Sequence, residues 1–88
     1  MTLKDLKNEI EGCDMISRKR NGNILFRKAC LYKFGKTTDD FVKRVTDQLD
    51  ELVMVYEPVA QGEHWAPFRR GAGIAKQTHW YLEIKVHG

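Results

Sequence analysis

Nowhere along these 88 residues does an apolar run last: the longest, Leu52–Tyr56, is five residues, against about 20 for a helix that crosses a bilayer. No basic stretch leads into an apolar one near the start either, so the expectation is a soluble chain without a signal peptide. Proline is nearly missing, with two residues, and 42% of the chain is hydrophobic. That excludes disordered, collagen-like and low-complexity chains and leaves one domain with one modest core, residues 1–88. Cysteine is as scarce: Cys13 and Cys30 stand seventeen positions apart with no Cys-x-x-Cys pair and no zinc-finger spacing. Two small apolar fillers in a reducing, cytoplasmic protein are the plain expectation, a lone disulfide the lesser one.

Acid is missing from one long segment. Residues 15–38 hold seven bases, Arg18, Lys19, Arg20, Arg27, Lys28, Lys33 and Lys36, and no Asp or Glu, whereas residues 39–57 hold six acids against Lys43 and Arg44. The net charge of +3 therefore hides a segregation that gives a folded domain one positive side, able to attract a polyanion or an acidic protein face. The plainer alternative is that these bases only solvate exposed strand positions.

Local patterns predict six elements. Thr2 with Asp5 forms a capping-box pattern ahead of Leu3, Leu6 and Ile10, a short helix that Gly12 ends. Asn21-Gly22 between two partly apolar runs predicts a hairpin of strands 14–20 and 23–33, with a type I′ turn that needs positive φ at both central residues. Thr37 with Asp40 repeats the capping-box pattern, and Phe41, Val42, Val45, Leu49 and Leu52 trace one helical stripe, predicting a helix over 38–51. A strand over 53–59 follows, ended or edged by Pro58. From Thr78 to Val86, Thr78, Trp80, Leu82, Ile84 and Val86 alternate with His79, Tyr81, Glu83 and Lys85, a strand with one dry face. The order α-β-β-α-β-β predicts an α+β domain: a four-stranded, largely antiparallel sheet with helices on one face. The competing parse makes residues 24–34 a helix and gives a winged helix, but it leaves Asn21-Gly22 without a role and puts Arg44 where an apolar residue is wanted.

The segment between the last two predicted strands, Gln61 to Gln77, is long for a hairpin connection and carries Trp65, Phe68, Arg69, Arg70 and Lys76 among glycines. Its aromatics could stack on bases or anchor in a partner's pocket, its arginines could meet phosphates, or Trp65 and Phe68 could fold back as a lid on the core. Gly71–Lys76 lacks the glycine a P-loop places directly before its lysine, and a strand rather than a helix follows. Of the three histidines, His79 and His87 are eight residues apart on one strand, about 27 Å, too far to share a metal. Glu63 and His64 are adjacent polar residues with no nucleophile beside them. The expectation is therefore a non-enzyme with no cofactor, no metal and no membrane partner. The favoured function is a small basic nucleic-acid-binding domain that contacts mainly the phosphate backbone, through Arg18, Lys19, Arg20, Arg27, Lys28, Trp65, Phe68, Arg69, Arg70 and Lys76. The alternative is a protein-interaction module or inhibitor of a larger enzyme or complex, of the sort phages and mobile elements encode, docking on an acidic surface through loop 61–77.

Overall fold

The computed structural model describes residues 2–10, 12–31, 36–66 and 77–87. Their order is α1 (Leu3–Glu9), β1 (Met15–Arg18), β2 (Ile24–Leu31), α2 (Thr38–Glu51), β3 (Tyr56–Ala66) and β4 (Gln77–Val86). This is the α+β arrangement expected from the sequence, not the winged helix: residues 24–31 pair as a strand in the sheet.

Both helices begin as their capping residues dictate. The Thr2 hydroxyl accepts from the Asp5 N–H while the Asp5 carboxylate accepts from the Thr2 N–H, and Thr37 and Asp40 do the same for α2. Each box satisfies amide donors that a helix start otherwise leaves unpaired. Seven residues are too few for an isolated helix, so α1 depends on burying Leu6 and Ile10. α2 ends in a Schellman turn: the Val53 N–H donates to the Asp50 carbonyl (3.1 Å) and the Met54 N–H to the Leu49 carbonyl (3.4 Å). That turn places Val53 at φ +55°, a left-handed position where glycine is the usual occupant.

The sheet runs β1-β2-β4-β3, antiparallel at every pairing. β2 and β3 thus run the same way, joined through α2, and β4 inserts between them. Its register sorts the side chains that alternation alone left unphased. Ile24 faces Ile84, Phe26 faces Leu82, Lys28 faces Trp80 and Cys30 faces Thr78 on the helix side, while Leu25, Arg27 and Ala29 pair with Glu83, Tyr81 and His79 on the other. One cluster of buried side chains unites Leu6 of α1 and Ile10 at its end, Phe41, Val45 and Leu49 of α2, and the helix-side residues of β2 and β4. Both helices therefore cover the same face, and the described residues form one domain. Phe26, Val45, Leu49, Leu82 and Ile84 are wholly buried, each contributing roughly 1.5–3 kcal/mol of apolar burial. Cys13 and Cys30 are not bridged, and burial pushes the Cys13 thiol up to about 12, which makes it a poor nucleophile.

Three expectations are corrected. The hairpin turn is a three-residue loop, with the Lys19 N–H donating to the Asn23 carbonyl and the Gly22 N–H to the Lys19 carbonyl; only Gly22 has positive φ. Asn21 instead uses its side-chain oxygen to accept the Asn23 N–H, so it has no need of the left-handed backbone that a type I′ turn demands. The third strand starts at Tyr56 rather than residue 53, because residues 52–54 close the end of α2, and it continues past Pro58 to Ala66. It is an edge strand with a register shift between Pro58 and Ala60, and an edge with a bulge is where a strand tolerates a proline. Consequently Gln61–Ala66 is strand, and only residues 67–76 join β3 to β4. The third correction is Gly62, which reads as loop but lies in the ladder opposite Tyr81. A Cβ there would meet the Tyr81 ring at 3.1–3.3 Å, so the phenol covers the backbone that glycine leaves bare.

Candidate functional site

The hairpin bases expected to act together are divided among several surfaces. Arg18 is exposed and donates to the Gly22 carbonyl. Lys19 is committed to Glu83, 2.8 Å from Oε1, while Asn23 donates to Oε2 at 2.8 Å. Those two contacts, the Asn23 amide first, hold the buried Glu83 carboxyl below its ordinary value. Arg20 sits exposed in the turn. Arg27 and Lys28, adjacent in sequence, point to opposite faces: Arg27 lies opposite Tyr81 on the face away from the helices and Lys28 opposite Trp80 on the helix side. Trp65, expected in the loop, lies in β3 opposite Thr78, while Phe68, Arg69, Arg70 and Lys76 lie outside the described residues. The lid reading, which needs Phe68 as well as Trp65, therefore also falls partly outside them.

The face away from the helices carries Tyr81 with the His64 ring stacked on it, centroids 5.0 Å apart. Glu63 points the other way and accepts from the Thr38 hydroxyl at 2.7 Å, so Glu63 and His64 do not converge on one reacting atom. His87 pairs with Glu57 at 3.1 Å. Among the described residues, no three His, Cys, Asp or Glu side chains are grouped to hold a metal, and no helix is long and apolar enough to cross a membrane.

The helix side holds the feature that the sequence hid. α1 packs on β1 and α2 on β3 and β4, so the helices straddle β2. A cleft of about 470 Å³ opens between the α1–β1 connection and α2, lined by Gly12, Lys28, Lys36, Asp40, Phe41, Lys43, Arg44, Asp47, Gln48 and Trp80. Its volume falls within the range of small-ligand sites. Phe41 and Trp80 pack against one another with centroids 6.2 Å apart and form the apolar part of the lining. Around them stand four cations and two carboxylates.

The carboxylates are engaged. Asp47 pairs with Lys43 at 3.0 Å, one turn along the helix. Asp40 accepts from the Thr37 N–H (2.7 Å) and hydroxyl (3.1 Å), contacts that hold its carboxyl below the ordinary value, the backbone N–H most strongly. Lys28, Lys36 and Arg44 have no ion pair with any described residue. Gly12 explains how Arg44 reaches the cleft: a Cβ at position 12 would stand 2.9 Å from Arg44 Cδ, so the side chain lies across a residue that offers it room.

Of this group the sequence reasoning found Lys28 as a site residue and missed Lys36, Lys43 and Arg44. The available signal was helical spacing. Asp40, Lys43, Arg44, Asp47 and Gln48 fall on one stripe of α2 beside the core stripe of Phe41, Val45 and Leu49. What that stripe faces depends on strand order, which no local pattern reports. Compared with known proteins, the chain matches no family model, no curated protein and no solved structure, and the functional reading rests on the cleft and its charges.

Proposed function

We propose that this chain is a small nucleic-acid-binding domain whose principal phosphate contacts come from the helix side, with Lys28, Lys36 and Arg44 as the contact cations. The observation that supports the reading is that these three bases line one cleft and have no ion pair with any described residue, while Asp40 and Asp47 are hydrogen-bonded or paired to Thr37 and Lys43. Cations left unpaired at short range favour a polyanion, because each phosphate they neutralise releases condensed counter-ions from the nucleic acid. Arg44 adds a planar fork suited to a phosphate's oxygens. Such contacts fix position and carry little sequence information, so preference among sequences is modest. No bond is made or broken in this role.

The test is fluorescence anisotropy with single- and double-stranded oligonucleotides at two salt concentrations. Affinity is expected to fall steeply with salt, and Lys28→Ala and Arg44→Ala each to weaken binding and reduce the logarithmic salt slope by about 1. Arg20→Ala and Arg27→Ala, away from the cleft, should act less. The reading fails if no oligonucleotide binds at low salt, or if the cleft variants bind like the parent protein.

A separate observation favours the protein-interaction alternative. Val53, Val55 and Val59 are 87%, 66% and 49% exposed, on and just before the edge strand β3. Exposed valines beside an open strand edge suit a partner that adds a strand. Val55→Lys with Val59→Lys would abolish such an association and leave the salt slope with nucleic acid unchanged.

A further inference from the structure

From the shape and charge of the cleft we infer that it receives a terminal phosphomonoester, the phosphorylated end of a strand or a free nucleotide, in preference to the phosphodiesters within a strand. The inference rests on the nucleic-acid reading for its natural ligand, but its chemistry is separately testable. A running phosphodiester backbone needs an open track of cations, whereas Lys28, Lys36 and Arg44 converge on a single cleft of about 470 Å³, the size of a small-molecule site. At one side the cleft is bounded by Gly12 and at another by α2, and Phe41 and Trp80 supply apolar surface. That combination suits one strongly charged group attached to a planar body.

Charge selects the monoester. A diester carries one negative charge at any pH near neutrality, but a monoester has a second ionisation with pKa near 6 and carries nearly two at pH 7. Against Lys28, Lys36 and Arg44, which have no ion pair with any described residue, the added charge strengthens binding. The engaged Asp40 carboxylate, held ionised by Thr37, opposes any anion that enters. The Thr37 contacts keep that opposition constant with pH over the range in which a phosphate gains its second charge. The pH dependence of the preference therefore reports the ligand's ionisation and not that of Asp40.

The experiment compares one labelled oligonucleotide in three forms: 5′-phosphate, 3′-phosphate and hydroxyl at both ends. It adds competition by a nucleoside monophosphate and by inorganic phosphate. The inference expects a phosphorylated end to bind about tenfold more tightly than the hydroxyl form at pH 7.5, an effect of the size one extra charge at close range produces. The advantage should shrink as pH falls through 6, and Lys28→Gln and Arg44→Gln should remove it while Arg27→Gln leaves it intact. Displacement by the nucleoside monophosphate but not by inorganic phosphate would show that the apolar lining takes part. Equal affinity for all three forms, or an advantage that survives both cleft substitutions, overturns the inference and leaves the nucleic-acid reading standing. If no oligonucleotide binds, the nucleic-acid reading falls. Amide and indole chemical shifts at Gly12, Lys28 and Trp80, followed in the parent protein during titration with the nucleoside monophosphate, then decide the inference: saturable shifts support it and their absence overturns it.

Discussion

Replacing Val53 by glycine should make this protein more stable, although the substitution deletes a side chain. Val53 occupies φ +55° at the end of α2, where the Schellman hydrogen bonds from Val53 and Met54 hold it. A Cβ in the left-handed region costs about 1–2 kcal/mol, and a β-branched side chain belongs at the upper end. Glycine removes that strain but loses more backbone freedom on folding, about 0.5–1 kcal/mol. The lost contacts are few because the residue is 87% exposed. With full burial of such a side chain at roughly 1.5–3 kcal/mol, the forfeited part is about 0.2–0.4 kcal/mol. The balance is a gain of about 1 kcal/mol, or about 4–8 °C in a domain of this size. Val53→Ala is the control, since it keeps a Cβ at the same φ and should lie about 1 kcal/mol below the glycine variant. Thermal and urea unfolding of the three proteins, followed by circular dichroism, gives the comparison. A glycine variant less stable than the alanine variant would mean that the turn is not left-handed at this residue in solution, and the account of how α2 ends would be wrong.

The remaining predictions test the sheet, the buried carboxylate and the thiol. Trp80→Ala should lose about 3 kcal/mol, the low end for a buried tryptophan because the indole borders the cleft, whereas Tyr81→Ala, on the face away from the helices, should lose about 1 kcal/mol; urea unfolding that ranks them the other way would refute the strand's facing. Glu83 has a folded-state pKa below its unfolded value, so its contribution is present above about 4.5 and is lost as pH falls through the lowered folded-state value. Glu83→Gln should accordingly lower the melting temperature at pH 7, with the gap to the parent protein closing in acid; a constant gap would deny the ionised carboxylate its role. Cys13, with its thiol pushed up to about 12 by burial, should react with a thiol reagent at pH 8 far more slowly in the folded protein than in urea, and equal rates would contradict its burial.

Local chemistry made part of this fold legible and left the rest hidden for a definite reason. The helix over 38–51 could be read to the residue because Thr37, Asp40 and the Phe41–Val45–Leu49 stripe each act within a few positions of one another. The last strand could be read because its alternation is strict. β3 could not, since Pro58 and Gly62 are both strand breakers by composition; they are accommodated by an edge position and by the Tyr81 ring, a residue nineteen positions away in the chain. The site failed in the same manner. Clustering in sequence grouped Arg27 with Lys28, although neighbours in a strand face opposite ways. The cations that do converge, Lys28, Lys36 and Arg44, come from a strand, a linker and a helix brought together by a strand order that only the folded chain reveals.

That strand order also sets when the molecule can exist. β4 leaves the ribosome after β1, β2 and β3, yet it lies in the interior of the sheet, where it supplies Trp80, Leu82 and Ile84 to the core and separates β2 from β3. Until it arrives, the first hairpin and α2 have no common surface to close upon. A nascent chain lacking residues 77–86 would therefore present Phe26 and Leu49 to chaperones and proteases instead of burying them. Because every pairing of β4 joins residues distant in sequence except those nearest the 67–76 connection, closure is a late and cooperative event. Interrupting translation before residue 77 would leave not a shortened domain but no domain.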